Sequence, residues 1–245
     1  MLASLAGLLP LAQAGDGFVR EAGQGATSCV GQNDTVCIGW AIDNADRYVT
    51  PTLEHLVLVV VPVAAGFALA LVLAILSHRR RWLIPVFTGV TGVIYTIPSI
   101  ALFLILLPVT GRGTTTALIA LTLYTLQIVY RNIVTGLANV PPGAKDAGRG
   151  MGMTDRQLLW RVELPLAIPE IIAGLRIATV STVAIATLAV FAGAGGLGAE
   201  LYSDITFKTG IVVVGSIAIA MAIGFDILYI GVQRLLSPWR KVRPV

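Results

Sequence analysis

The chain has 245 residues, of which 56% are hydrophobic and only 12% charged, with a formal net charge of +4. A soluble domain carries about 25% charged residues, so a water-soluble globular fold is excluded. The basic residues are not interleaved with an aromatic ladder, which sets nucleic-acid binding aside.

The first fourteen residues, MLASLAGLLPLAQA, join an apolar stretch to a small-residue end but carry no basic leader. A signal peptide and a plain apolar segment both stay open. Residues 15–33 are polar and Gly-rich and read as mobile. Cys29 and Cys37 are the two cysteines. No third cysteine or nearby histidine completes a metal site. A disulfide between them and two free thiols are both open, and a disulfide would persist only outside the cytoplasm.

Five stretches then reach the roughly 20 apolar residues that a membrane span needs. They are residues 56–76, 82–109, 114–130 with room to extend past Arg131, 171–192 and 209–236. Each is expected to be a helix, because an open strand in lipid leaves backbone groups unpaired. Pro62 and Pro98 each remove an internal hydrogen bond and favour a kink, either a tolerated one or a gating bend. Basic clusters follow the first, third and fifth stretches: Arg79, Arg80 and Arg81; Lys145, Arg149, Arg156 and Arg161; Arg234, Arg240, Lys241 and Arg243. The positive-inside rule therefore places the N-terminus outside and the C-terminus inside, with Trp82 and Trp239 as interfacial anchors. The expected plan is an extracytoplasmic segment over 1–52, a transmembrane unit over 53–236 with a cytoplasmic loop over 139–168, and a cytoplasmic tail over 237–245.

Ionisable groups inside the spans are few. Asp226 lies several turns into the fifth stretch, where a carboxylate is expensive; Arg131 and Arg176 are its candidate partners in an ion pair. His55 and His78 read as isolated residues at membrane edges, and Glu54 as solvated. Thr96, Pro98, Ser99, Thr122, Thr125 and Gln127 supply polarity or a bend within the second and third stretches and are candidates for a translocation path. Gly193, Gly195 and Gly198 spell G-x-G-x-x-G, but a dinucleotide site needs a strand before it and a helix after it, and here a membrane helix precedes. A tight turn is the better reading. No G-x-x-x-x-G-K-[ST] occurs, so no ordinary cradle for ATP phosphates exists in the chain.

The longest basic loop, residues 144–165, reads AKDAGRGMGMTDRQLLWRVELP. It is amphipathic in patches, too polar to insert, and its glycines permit a turn between two short helices. Such an element either presents a ridge to a partner or packs only on its own bundle. This loop resembles the signature loop of ABC importer permeases, in which E-A-A and a glycine precede I-x-L-P at fixed spacing. Asp146, Ala147 and Gly148 stand at E-A-A, Gly152 at the glycine, and Val162, Leu164 and Pro165 at I-x-L-P. Asp for Glu and Gly for the second Ala are departures. The similarity runs from about Trp40 to the C-terminus, and YVTPTLEHL, YTIPSIA, RNIVTGLANVP, LPLAIPEIIAGLR and FAGAGGLG look most like the glycine betaine, proline and choline type.

The resemblance implies an all-α, five-span type I importer core, similar to methionine permeases, in a bacterial cell membrane. It implies a non-enzymatic subunit that binds no cofactor itself. ATP and magnesium would sit on two cytoplasmic ATP-binding subunits, docked on the loop. A second permease subunit, identical or paralogous, and an extracytoplasmic solute-binding protein would complete the assembly. A self-sufficient carrier or channel, a membrane anchor without a path, and a permease for another solute such as an amino acid are the rival readings. The lack of an internal repeat weighs against the usual repeat-built carriers.

Overall fold

The computed structural model describes residues 29–203 and 205–237. The segment at 1–14, most of the Gly-rich stretch, Trp239 and the basic residues Arg240, Lys241 and Arg243 lie outside the described residues. All regular structure within them is helical. In chain order the helices are α1 Ile38–Asp43, α2 Val49–Arg79, α3 Leu83–Thr96, α4 Ser99–Thr110, α5 Thr114–Ala138, α6 Pro142–Gly150, α7 Asp155–Leu158, α8 Leu164–Ala186, α9 Leu197–Ser203 and α10 Lys208–Leu236. Four are parts of units long and apolar enough to cross a membrane, and the pair α3–α4 makes a fifth if counted as one span.

The bundle is organised around α5, which packs mainly on α2 and α8. Leu121, Val129, Tyr130 and Ile133 of α5 are fully buried. Small residues let the backbones approach, as membrane helices require where lipid offers no hydrophobic drive. A Cβ on Gly66 of α2 would overlap the Thr125 side chain, and one on Gly174 of α8 would overlap Asn132. Gly136 of α5 faces Ala167 in the same way: a Cβ there would come within 3.2 Å of the alanine methyl. Helix α10, by contrast, buries only Thr209 and Val214.

The stretch expected as one second span is broken. Helix α3 stops at Thr96, and α4 leaves at 98° to it. Pro98 supplies no N–H and pushes the preceding residue out of the helical region; Ile97 accordingly sits at φ −67°, ψ 128°. The Ile97 carbonyl, left without a helical donor, accepts the Tyr124 hydroxyl from α5. Pro62 has no such effect, and α2 runs through it.

Two further expectations change. His55 is fully buried, with Nε2 3.1 Å from the Val183 carbonyl. After Ala186 the chain tightens into a 3₁₀ segment, Thr187–Ala192, which turns the Thr187 N–H to Ala184 and leaves Val183 to the imidazole. Glu54, though exposed, is not merely solvated: its Oε2 accepts the Gly196 N–H at 2.7 Å. The glycine run is a turn, with Gly193 and Gly196 at φ +83° and +89°.

At the end of the bundle away from α6, Cys29 and Cys37 are disulfide-bonded, with Cα atoms 5.9 Å apart. The loop that they close rests on the start of α10. Asn33 donates to the Thr206 carbonyl at 2.8 Å and accepts from the Lys208 N–H at 3.1 Å. Trp40 meets Phe207 edge to face, and Arg47 pairs with Glu200 at 2.9 Å.

Candidate coupling loop and translocation path

Loop 139–163 is a helix–turn–helix held by caps at its turn. Pro142 occupies the first turn of α6, where its missing N–H costs nothing. At the other end Gly152 adopts φ +79°. The Gly152 N–H bonds to Arg149 O at 2.9 Å and the Met153 N–H to Gly148 O at 3.2 Å, the paired bonds of a Schellman stop. Thr154 then caps α7 in a reciprocal box with Gln157: the Thr154 N–H donates to Oε1 at 2.9 Å and the Gln157 N–H to the threonine hydroxyl. A π turn, Leu159–Glu163, joins α7 to α8, whose first turn holds Leu164 and Pro165.

The motif residues divide by exposure. Asp146 and Ala147 face solvent beside Met151, which is 70% exposed. Asp146 makes only an open i,i+3 contact with Arg149, at 3.7 Å. Gly148 is buried: a Cβ there would lie 2.6 Å from Leu158 Cδ1. In this packing Leu158 of α7 occupies the place of the methyl that alanine in the family pattern would bring, so an alanine here would need the leucine to shift. Val162 packs on the same spot, its Cγ2 3.7 Å from that position. At Gly152, by contrast, a Cβ would meet no described atom within 4 Å.

The candidate path residues fall into two groups. Thr96 and Pro98 are exposed at the break between α3 and α4, and Ser99 and Thr122 are half-buried. Thr125 and Gln127 are buried inside the protomer. Thr125 donates to Pro62 O at 3.0 Å, and Gln127 pairs with Thr91 of α3. These two hold α5 to its neighbours and offer no open surface in this conformation. Tyr124 was not evident from sequence as a site residue, yet it satisfies the broken span and stacks edge-on with the half-exposed Tyr95, 5.6 Å between ring centres.

Asp226 of α10 pairs with Arg176 of α8, not with Arg131. Arg176 Nε donates to Oδ1 at 2.8 Å and its Nη2 to Oδ2 at 3.0 Å. The two-pronged geometry matches a planar guanidinium to a carboxylate. Arg131 is exposed on α5. His78, read as isolated, lies 3.1 Å from Glu163, whose other oxygen is 3.6 Å from Lys145. Spacing in the sequence gave no sign of this cluster, since its members stand on three separate elements and meet only through the fold.

Known proteins resemble this chain in sequence and in fold. A family model described as "Binding-protein-dependent transport system inner membrane component" matches residues 66–242. The choline transport system permease protein OpuBD of Bacillus subtilis (strain 168) is 42% identical over 172 residues, covering 69% of this chain and 76% of that protein. The osmoprotectant import permease protein OsmW of Salmonella typhimurium is 36% identical over 206 residues, covering 81% and 96%. Among solved structures, an inward-facing form of the MetNI methionine ABC transporter aligns with a TM-score of 0.66 at 22% identity, over 78% of this chain and 95% of that one. An amino acid ABC transporter with histidines aligns with a TM-score of 0.69 at 19% identity, over 81% and 98%. These two show the fold: an importer permease core. The chain is a multi-pass inner-membrane protein and belongs to the family of binding-protein-dependent transport system inner membrane components.

Proposed function

We propose that this chain is the transmembrane permease subunit of an ATP-binding-cassette importer for an osmoprotectant or quaternary-amine solute such as glycine betaine, choline, carnitine or proline. The observation that carries the reading is the loop 139–163. A Schellman stop and a capping box fix two short helices, and Asp146, Ala147 and Gly152 of the importer motif are left on their open side. A well-capped element with an uncovered ridge suits docking. Relatives 30–42% identical are named as choline, carnitine, glycine betaine or osmoprotectant permeases, which supports the solute class.

In this reading two ATPase subunits, carrying ATP and magnesium, receive the loops of two permease subunits from the cytoplasm. A binding protein delivers solute at the face that holds the Cys29–Cys37 loop. The basic loops put the N-terminus outside and the C-terminus inside. Thr96, Pro98, Ser99 and Thr122 at the broken span contribute to the path. The chain itself binds no nucleotide and breaks no bond. The test is ATP hydrolysis by the purified permease–ATPase complex in lipid, with binding protein added empty or loaded with each of the four solutes. Stimulation by one or more loaded forms supports the proposal. Hydrolysis indifferent to all of them, or no ATPase retained on the permease, counts against it.

A further inference from the structure

A buried carboxylate sits where the loop meets the bundle. Glu163 closes the π turn and is 3% exposed. It occupies the variable position of I-x-L-P, so the family pattern assigns it nothing. Insertions of this π type inside helices gather at functional sites. Burying a charge demands compensation, and here it comes from two other elements. Lys145 of α6 places Nζ 3.6 Å from Oε1, and the same ammonium donates to Leu137 O, in the last turn of α5, at 3.1 Å. His78, in the last turn of α2, places Nε2 3.1 Å from Oε2, off the line of a hydrogen bond. Two other helices therefore meet at Glu163, and Lys145 links it on to a third.

The convergence matters because α6 packs chiefly on α7 and the π turn rather than on any span. Lys145, next to the motif position Asp146, is its polar tie to the bundle. The tie is loose in this conformation: Glu163 lies beside the Lys145 ammonium and the His78 imidazole without one well-aligned hydrogen bond. Beside it opens a cavity of about 930 Å³, walled by Ala74, Ile84, Val134 and Leu159 and rimmed by Arg79 and Arg156. The carboxylate and its partners thus have room to tighten or separate. We propose that Glu163 is a positioning residue that, through Lys145 and His78, passes displacement of the docking loop to the end of α2.

This inference rests on the proposed importer function, and the test separates the two. The complete transporter, with its ATPase and binding protein, is reconstituted in proteoliposomes with Cys29 and Cys37 replaced. A fluorophore is attached through Arg80→Cys, at the exposed end beyond α2. The unmodified complex should import solute and change fluorescence on ATP binding. Glu163→Gln should lower uptake tenfold or more and abolish the fluorescence change, while ATP hydrolysis stays within about twofold. Lys145→Met should do the same, Lys145→Arg should behave as the unmodified chain, and the Glu163→Gln/Lys145→Met double variant should be no worse than either single, as expected of residues acting as one unit. Unchanged uptake and fluorescence in Glu163→Gln, or losses that multiply in the double variant, overturn the proposal. If Glu163→Gln does not assemble, the half-buried Lys145 decides: coupled uptake intact in Lys145→Met overturns it. Absence of uptake by the unmodified complex counts against the importer function instead, and the fluorescence response then judges the tie by itself.

Discussion

Gly152 separates the needs of the fold from the needs of a partner. Its φ of +79° lies in the left-handed region, where a side chain costs roughly 1–2 kcal/mol and asparagine is tolerated best. A Cβ at this position would meet no described atom within 4 Å, so bulk itself carries no further penalty in the isolated protein. Gly152→Ala and Gly152→Arg should therefore share a similar small loss, a few degrees or less in the melting temperature of the detergent-solubilised chain, and Gly152→Asn should lose less. With a factor of ten for each 1.4 kcal/mol, the φ cost alone lowers the ratio of the correct turn to its alternatives by about tenfold in Gly152→Ala. Uptake by the assembled transporter should follow: Asn near the unmodified value, Ala reduced by up to about tenfold. Arginine pays the same backbone cost and also projects into the space that an ATPase subunit would fill, so its uptake and ATPase co-purification should fall a further tenfold or more. Asp146→Ala should be milder than either, because Asp146 makes only an exposed contact with Arg149. Equal uptake and ATPase retention for Gly152→Arg and Gly152→Ala would refute the reasoning, since the open space would then receive no partner.

The Arg176–Asp226 pair predicts a non-additive pattern. Arg176→Leu or Asp226→Leu alone leaves an unpaired charge within the spans and should reduce folded yield, whereas the double substitution should recover it. Single cysteines at Ser203 and Thr154, in a background lacking Cys29 and Cys37, should react with an impermeant reagent from opposite sides of the membrane; reaction from the same side contradicts the topology. Replacing Cys29 and Cys37 by serine should destabilise the loop that they close by about 2–3 kcal/mol, the chain-entropy value for so short a closure. Proteolysis near Trp40 should then speed up while uptake of solute persists. Equal cleavage rates with and without the bridge would show that the Asn33 contacts, with the bond that the Thr209 hydroxyl donates to Asp34 O at 2.7 Å, hold the loop unaided.

The features written locally in the sequence were readable there. Apolar runs long enough to span a bilayer gave the helices, and the glycines between Asp146 and Pro165 gave the turn between two short helices, because turn and cap chemistry are properties of neighbouring residues. Asp226 announced a partner, since a carboxylate at that depth needs one, but the choice of Arg176 over Arg131 depended on which faces α8 and α10 present to each other. Pro98 announced a kink; a 98° break depended on Tyr124 arriving from α5 to take the Ile97 carbonyl. The buried roles of His55 and Glu163 were hidden for the same reason. An isolated histidine or glutamate looks solvated until helix packing closes over it. Thr125 and Gln127 looked like path residues because polar groups in a span suggest a pore. In this structure they satisfy groups on neighbouring helices, a role that the sequence expresses in the same letters.

The most direct test of the importer function is uptake of radiolabelled glycine betaine, choline, carnitine and proline by proteoliposomes containing this chain, its ATPase subunit and its binding protein. At least one of these solutes should accumulate against its gradient, only when ATP is supplied on the side of the Gly152 turn and binding protein on the other. Accumulation by the chain without ATPase or binding protein, or none of the four solutes carried by an assembly that hydrolyses ATP, would contradict it.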